Sequence, residues 1–434
     1  MTTAAVKLWG KDIGAVSWDE DAGYANFEYD PEFVGSGIEV SPITMKLSDR
    51  IYVFPALPKE TFHGLPGLLA DSLPDDFGNA LINAWLAREG RSAGSFNPVE
   101  RLCYTGDRGM GALEYIPSQG PSGSLSETVD VKALVELASE ILTKRNRLEG
   151  SFAPAGREAS LQEILRVGTS AGGARAKAII AWNRQTNEVR SGQVKAGTGF
   201  TCWLLKFDGV SGNRDKEIED PAGYGLIEYA YYKMALEAGI EMKKCRLLKE
   251  NGRSHFMTQR FDRTDRGGKI HMQSFCAMEH FDFKKAGAHS YEQALRTIRR
   301  LEMPMQSVEE QFRRMAFNII GRNQDDHVKN IAFLMDRSGS WSLSPAFDMT
   351  YSYNPDGAWT SSHQMSMNGK RDDFDMEDFK ACARNSSMKR GRAEDIVEQV
   401  RDAVLKWEDF AIEAGVPDGI ASAIAKAQRT DILG

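Results

Sequence analysis

Cysteine is scarce in this chain, and the few cysteines present are widely separated. The five are Cys103, Cys202, Cys245, Cys276 and Cys382, and none forms a CxxC pair. This spacing offers no zinc site and favours reduced thiols in a cytoplasmic protein. The sequence also lacks an apolar run long enough to span a bilayer and a charged-then-apolar signal after Met1. We therefore expect a cytoplasmic protein with no membrane segment.

Positive charge is also in short supply, with 54 Lys and Arg against 61 Asp and Glu and a net charge of −7. This balance argues against a chain that binds DNA by itself through a broad phosphate-contacting surface. Basic clusters occur at 144–147, 299–300 and 389–392, where solvated helix ends explain them. Length and an ordinary content of apolar and charged residues predict a globular protein of two or three domains.

The pattern of strands and helices changes along the chain. Short alternating strands broken by Gly and Asp open the sequence, and residues 63–90 carry Leu73, Phe77, Leu81 and Trp85 at helical spacing. A polar Gly/Ser/Pro segment at 118–127 is the best candidate linker, and an amphipathic helix follows it from Val131.

The second half of the chain is predicted to be mainly helical. Short strands dominate from about 165 to 275, with one helix near 223–239, and helices prevail after 290. The expected fold class is α+β. The expected domains are a β-rich N-terminal subdomain (1–120), an N-lobe with a Gly-rich loop (121–258) and a helical C-lobe (259–434).

The stretch GRNQDDHVKN at 321–330 places two acids, a histidine and a lysine directly behind an apolar helix. That helix is predicted to begin with Ser307 and Glu310 as a capping box and to end near Gly321. NIAFLMD, RSGS and WSLS then predict a β-hairpin, and PAFD ends on Asp348. Two acid-bearing loops that flank one hairpin are expected to converge at one end of it.

This order of residues fits phosphoryl transfer. Asp325 is suited to accept the proton of an attacking hydroxyl, while Asn330 and Asp348 offer the oxygen ligands that Mg²⁺ prefers. Kinase catalytic loops place an Asp and an Asn five residues apart and a metal-binding Asp after a hairpin. The spacing matches here, although neither HRD nor DFG is present. The alternative is a polar helix terminus whose groups satisfy one another.

Three upstream segments appear in the order that a kinase requires. TCWLLKF at 201–207 predicts a strand with Lys206 near its end, and the next helix offers Glu228 as a partner. SHFMTQRFDR at 254–263 suits a hinge, and VGTSAGGARAKAIIAW at 167–182 suits a phosphate-facing turn. The Gly-rich GDRGMGAL at 106–113 is interpreted as a turn that takes no part in a site.

These pieces together resemble the HipA family of bacterial serine/threonine kinases, the toxins of type II toxin–antitoxin modules. GTSAGGARAKA, the strand ending in Lys206, NQDDHVKN and LSPAFDMTYSYNP carry the resemblance, which extends over nearly the whole chain. The resemblance implies a bilobal protein-kinase-like fold with an extra β-rich N-terminal subdomain and a mainly helical C-lobe. It also implies ATP and Mg²⁺ as cofactors.

The resemblance implies a role for each matching position. Asp325 is the catalytic aspartate, Asn330 and Asp348 are the metal ligands, and Ser170 is the autophosphorylated serine. A phosphate on Ser170 would crowd the phosphates of ATP and switch the kinase off. The nucleotide-binding residues are Ser170, Gly172, Gly173, Lys206, Gln259, Phe261, His327, Asn330 and Asp348. Gln259 stands where some members of the family have Glu.

The resemblance also implies partners. A small helix-turn-helix antitoxin of the HipB type is expected to hold this chain in a repressor complex and to supply most of the affinity for operator DNA. A protein such as an aminoacyl-tRNA synthetase is the expected substrate, so that phosphorylation inhibits translation. Two alternatives stay open at this point: a small-molecule kinase with the same site, and a non-catalytic member of a repressor complex.

Overall fold

The computed structural model describes residues 2–120, 129–144, 175–193, 197–210, 214–215, 218–219, 223–264 and 267–432. The helices are α1 (Pro31–Val34), α2 (Lys59–Phe62), α3 (Gly67–Ala70), α4 (Asp76–Arg88), α5 (Pro98–Thr105), α6 (Val131–Lys144), α7 (Tyr224–Glu237), α8 (Phe275–Glu279), α9 (Tyr291–Arg300), α10 (Met305–Ile320), α11 (Met376–Asn385), α12 (Arg392–Val404), α13 (Trp407–Ala414) and α14 (Asp418–Ala427). Short 3₁₀ turns lie at Ala93–Ser95 and Val328–Asn330. None of the helices in these ranges combines the length and the apolar character needed to cross a bilayer.

The strands form two larger sheets and three small ones. They are β1 (Thr2–Leu8), β2 (Lys11–Asp19), β3 (Tyr24–Tyr29), β4 (Leu113–Ile116), β5 (Lys177–Asn183), β6 (Val189–Ser191), β7 (Phe200–Lys206), β8 (Arg214–Asp215), β9 (Ile218–Glu219), β10 (Cys245–Glu250), β11 (Arg253–Gln259), β12 (His271–Ser274), β13 (His289–Ser290), β14 (Ala332–Met335), β15 (Trp341–Leu343) and β16 (Met365–Ser366).

The N-terminal region is built on an antiparallel sheet in the order β3-β2-β1-β4. Alternate residues of β1, among them Val6 and Leu8, are buried, which is the period of two expected of a sheet with one covered face. The predicted helix over 63–90 is wrong in its extent. This segment forms α3 and α4 instead, because Pro66 and Pro74 cannot donate the backbone hydrogen bonds of a continuous helix.

The second large sheet has five antiparallel strands in the order β10-β11-β7-β5-β6, and α7 lies against β10 and β11. We call this sheet together with α7 the N-lobe. The amphipathic helix predicted from Val131 is present as α6, and Leu134, Val135 and Ala138 on its buried face share a core with Phe77 of α4.

The remaining elements, from β12 to α14, are mainly helical, and we call them the C-lobe. The predicted hairpin is present as β14 and β15, paired from Phe333↔Leu343 to Met335↔Trp341. The predicted capping box is wrong, because α10 begins at Met305 after Pro304 and leaves Ser307 inside the first turn. Glu310 instead accepts hydrogen bonds from the Glu241 backbone N–H at 3.0 Å and from Arg314 at 2.8 Å.

The α+β fold class is confirmed. A β-rich N-terminal region precedes a five-stranded antiparallel sheet with one helix packed on it, and a mainly helical lobe follows. This order of sheet, helix and helical lobe is the two-lobed, protein-kinase-like arrangement expected from the sequence. The domain boundaries at 120 and 258 stay predictions.

A close backbone contact joins the N-terminal region to the C-lobe. The Gly67 N–H donates a hydrogen bond of 3.0 Å to Nε2 of His280, which ends α8. A Cβ atom at position 67 would overlap the carbonyl oxygen of Ala277, so glycine is required at this approach. The His280 ring packs edge-on against Phe54 and Phe62, with centroids 4.5 and 5.7 Å away, and burial lowers its pKa to about 4.

The junction should therefore weaken in mild acid. In the unfolded chain His280 takes up a proton near pH 6.5, whereas the folded chain resists protonation until about pH 4. The contribution of His280 is complete above pH 6.5 and is lost as pH falls towards 4, at a cost of about 2 kcal/mol by pH 5. His280→Gln keeps an acceptor for Gly67 that does not titrate, so urea unfolding at pH 7 and pH 5 should show a smaller loss than in wild type. An unchanged loss would contradict this assignment.

Candidate active site

The two acids of the loop that follows α10 have different environments. Asp326 is only 2% exposed, and it accepts hydrogen bonds from Tyr291 Oη (2.6 Å), His363 Nδ1 (2.7 Å) and the Gln364 backbone N–H (2.7 Å). Burial raises the pKa of Asp326, but His363 and the hydrogen bonds outweigh burial and hold it below its usual value. Asp326 therefore anchors the loop to Tyr291, His363 and Gln364 on its buried side.

Asp325 lies on the other side of this loop, with 21% of its side chain exposed. Its Oδ1 accepts a hydrogen bond of 2.6 Å from the Trp359 indole N–H and lies 3.9 Å from Nε2 of His327. Its backbone carbonyl accepts a 2.9 Å hydrogen bond from the Asn330 side-chain amide, since the turn at 328–330 folds back on the loop. The predicted base and the predicted amide ligand thus share one compact turn.

A second cluster is centred on Lys206 at the end of β7. Its Nζ lies 2.5 Å from Oε1 of Glu228 on α7 and 2.6 Å from Oδ1 of Asp348. Burial lowers the pKa of Lys206, but the two carboxylates outweigh that effect and raise it above its usual value. The sequence offered Glu228 as a partner for Lys206, and the structure brings the two side chains into direct contact.

Lys206 acts to lower the pKa of both carboxylates in this cluster, but the net shifts have opposite directions. Glu228 is only 2% exposed, and burial raises its pKa despite the neighbouring ammonium. Asp348 is more open, with 31% of its side chain exposed, and Lys206 holds its pKa below the usual value although burial acts to raise it. Asp348 is thus kept as an anion, the form in which a carboxylate binds a metal.

Asn330, Asp348 and His327 line one polar cavity together with residues of α10. The Asn330 amide nitrogen is occupied by the carbonyl of Asp325, so its amide oxygen is the atom that can ligate a metal. One amide oxygen and one carboxylate suit Mg²⁺, which completes its coordination with phosphate oxygens and water. Within the described ranges no three or more His, Cys, Asp or Glu side chains are grouped to hold a metal, so a metal here would depend on such outside oxygens.

The predicted hinge packs against the C-lobe through Phe261. Gln259 ends β11, where its backbone N–H donates to the carbonyl of Lys244 at 2.9 Å. The Phe261 ring is buried and lies 5.5 Å from that of Phe347, the residue before Asp348. Packing at the hinge therefore reaches the proposed metal loop. Ser170, Gly172 and Gly173 lie outside the described residues.

Sequence reasoning missed the anchor of this hinge. Asp262 is fully buried and pairs with Arg260 and Arg263, each at 2.7 Å, and with the Gly111 backbone N–H at 2.7 Å. Burial raises the pKa of Asp262, but the two guanidinium groups outweigh burial and hold it far below its usual value. The Gly-rich turn at 106–113, interpreted from sequence as a simple turn, thus supplies backbone groups that hold the hinge.

The cluster at Lys206 generates a prediction about stability. Lys206→Met should cost about 3 kcal/mol in the free energy of unfolding, because it leaves Glu228 buried without a cation. Adding Glu228→Gln replaces that carboxylate by a neutral amide, so the double variant should be more stable than Lys206→Met alone. Urea unfolding at pH 7 measures both. Lys7→Met, which breaks an exposed pair with Asp12, is the control and should cost less than about 1 kcal/mol. A double variant with a lower free energy of unfolding than Lys206→Met would contradict the role of Glu228.

Comparison with known proteins agrees with this architecture. Residues 4–116 match the HipA N-terminal domain, and residues 169–407 match the HipA-like C-terminal domain. A chain of the Shewanella oneidensis MR-1 toxin–antitoxin complex of HipA, HipB and operator DNA aligns with a TM-score of 0.65 at 15% identity, covering 99% of this chain and 96% of that one.

A second solved structure is far less similar. The proinflammatory kinase CtkA of Helicobacter pylori aligns with a TM-score of 0.33 at 10% identity, covering 54% of this chain and 89% of that one, which is too low to support an argument. No curated protein matches the sequence. The two domain matches span most of the described chain, and on them this protein belongs to the HipA family.

Proposed function

We propose that this chain is an ATP- and Mg²⁺-dependent serine/threonine protein kinase and the toxin of a type II toxin–antitoxin module. The observation that carries the proposal is the contact of Lys206 with both Glu228 and Asp348. A strand lysine, a helix glutamate and a metal-loop aspartate are the charged groups that kinases gather around the phosphates of ATP. Asp325 and Asn330 on the adjoining loop complete the set.

The chemistry follows from what each group can hold. In this proposal ATP lies between the N-lobe and the C-lobe, with its adenine near Gln259 and Phe261 and its phosphates near Lys206 and His327. Asp325 accepts the proton of a serine or threonine hydroxyl, whose oxygen forms a bond to the γ-phosphorus as the bond to ADP breaks. Magnesium, when bound by Asn330 and Asp348, supplies positive charge to the phosphate oxygens.

The expected partners rest on family membership and charge. The Shewanella oneidensis complex contains HipA, HipB and operator DNA. We propose a comparable helix-turn-helix antitoxin for this chain, with most DNA contacts made by that partner because this chain carries a net charge of −7. The proposed acceptors are Ser170 of the chain itself and a cytoplasmic protein such as an aminoacyl-tRNA synthetase, whose modification would inhibit translation.

The proposal predicts a single covalent product. After incubation with Mg²⁺ and ATP, intact mass should show one added phosphate on the wild-type chain, and peptide mapping should place it on Ser170. Asp325→Asn should lower the rate roughly 10²- to 10⁴-fold, because it removes the acceptor of the hydroxyl proton. Ser170→Ala should prevent that product while leaving ATP turnover with an added protein acceptor.

The matched control is Asp336→Asn, which changes an exposed aspartate in the turn between β14 and β15. Its rate should equal that of wild type. Equal phosphorylation of Asp325→Asn and wild type would remove Asp325 from the mechanism. Bound ATP with no phosphate on any chain or protein acceptor would leave a small-molecule kinase or a non-catalytic repressor subunit, and turnover with small hydroxyl compounds would separate these two.

A further inference from the structure

The residues between Asp348 and β16 reach back to the proposed catalytic loop. Trp359 lies in this segment, 34 residues after Asp325, and its indole N–H donates a 2.6 Å hydrogen bond to Oδ1 of the Asp325 carboxylate. Pro355, Asp356 and Ala358, which come just before Trp359, are exposed. Trp359 therefore joins an outward-facing segment to the group proposed to accept the hydroxyl proton.

The same segment is anchored at its far end. Gln364 donates its backbone N–H to Asp326 at 2.7 Å, and its side-chain amide donates to the carbonyls of Gln324 (3.2 Å), Ser362 (3.0 Å) and Trp359. His363 adds its own hydrogen bond to Asp326. Residues 359–364 thus hold both consecutive aspartates, Asp325 through Trp359 and Asp326 through His363 and Gln364.

Burial does not explain the contact between Trp359 and Asp325. A carboxylate that is 21% exposed can be hydrated, so it needs no indole partner to avoid an unsatisfied charge. Asp326 is the opposite case, because its burial requires the three donors that surround it. The bond from Trp359 to Oδ1 restricts the rotation of the Asp325 carboxylate.

We propose that Trp359 is a positioning residue for phosphoryl transfer: its N–H holds the Asp325 carboxylate through Oδ1 in the orientation that meets the acceptor hydroxyl. This inference rests on the proposed kinase function. It assigns the segment from Asp348 to β16 to the acceptor, because that segment carries Trp359 and is exposed beside it. Misplacement of a reacting group by even 1 Å can cost about 10²-fold in rate.

The test compares variants that separate the N–H from the ring. Trp359→Phe keeps an aromatic ring and removes the donor, and it should lower kcat for transfer from Mg-ATP to dephosphorylated casein roughly 10- to 100-fold, as expected for the loss of a hydrogen bond to a charged group. KM for ATP should stay within about twofold, since ATP is assigned to other residues. Trp359→His restores a ring N–H and should recover part of the rate.

Trp341→Phe is the matched control. Trp341 is also partly buried and donates its indole N–H, at 3.2 Å, but to the carbonyl of Glu39. Its removal should leave kcat unchanged, with any effect limited to Tm. Equal kcat for Trp359→Phe and wild type, or a fall shared by Trp341→Phe, would overturn the positioning role. A lower kcat explained by weaker ATP binding would also overturn it, because a general disruption of the lobe then accounts for the loss.

A second measurement does not need activity. In protein labelled with ¹⁵N at the tryptophan indoles, Trp359→Phe identifies the Trp359 N–H signal by its loss. That signal should then shift in Asp325→Asn, which replaces the charged acceptor by a neutral one, while the other indole signals stay in place. If the Trp359 signal has the same chemical shift in Asp325→Asn and in wild type, the positioning role is overturned. The kinase activity of wild type, and with it the proposed function, is unaffected by that outcome. A wild-type chain that binds ATP but transfers no phosphate overturns the proposed function and the positioning role together, even where the signal shifts.

Discussion

The organisation of the site depends on one ammonium group that holds two carboxylates. Lys206 ends a strand of the N-lobe sheet, Glu228 lies on α7, and Asp348 follows the β14–β15 hairpin of the C-lobe. Without the cation, a carboxylate as buried as that of Glu228 would be very unfavourable as an anion. The fold can therefore keep Glu228 inside the N-lobe only while the lysine stands next to it. Because the same lysine contacts Asp348, one charge also links the two lobes at the site.

This arrangement has a consequence for nucleotide binding. Phosphate oxygens are strong acceptors and would compete with Asp348 for the Lys206 ammonium. Oδ1 of Asp348, once released from Lys206, would then be available to a divalent cation. Glu228 should stay with the lysine in either case, because it is only 2% exposed and has little surface through which to exchange partners. In the proposed function, this triad would link the arrival of an anion to the release of a metal ligand.

The chemistry-bearing residues were predictable where they are close in sequence or follow a turn. Asp325 and Asn330 share one loop, and the hairpin that separates them from Asp348 is visible as two apolar runs around RSGS. Lys206 could be placed because its strand is apolar. These assignments needed only local periodicity and spacing, and the structure brings these residues to one region, although their roles stay predictions.

The supporting residues could not be predicted, since their partners lie far along the chain. Trp359 lies 34 residues from Asp325, and the contact of Asp262 with Gly111 spans 151 residues. Nothing in the local pattern distinguishes Asp326, which is buried, from Asp325 beside it. The apolar stripe in the sequence also predicted too long a helix at 63–90. The prolines in this segment interrupt the helix, which the periodicity alone does not indicate. Long-range polar pairing and backbone breaks are the features that periodicity does not encode.

The backbone at Asp348 shows why this aspartate cannot be exchanged for a residue of lower strain. Its φ is 53°, in the left-handed region that most side chains avoid at a cost of roughly 1–2 kcal/mol. Glycine would relieve the strain but would remove the partner of Lys206, and asparagine tolerates the conformation but carries no charge. The Asn323 side chain, which bonds to Asn318 at 2.9 Å, donates to the Asp348 carbonyl at 3.2 Å and holds the conformation. Asn323 thus maintains a strained backbone at Asp348, the residue that contacts Lys206. The strain is explained by the need for a carboxylate in that one orientation.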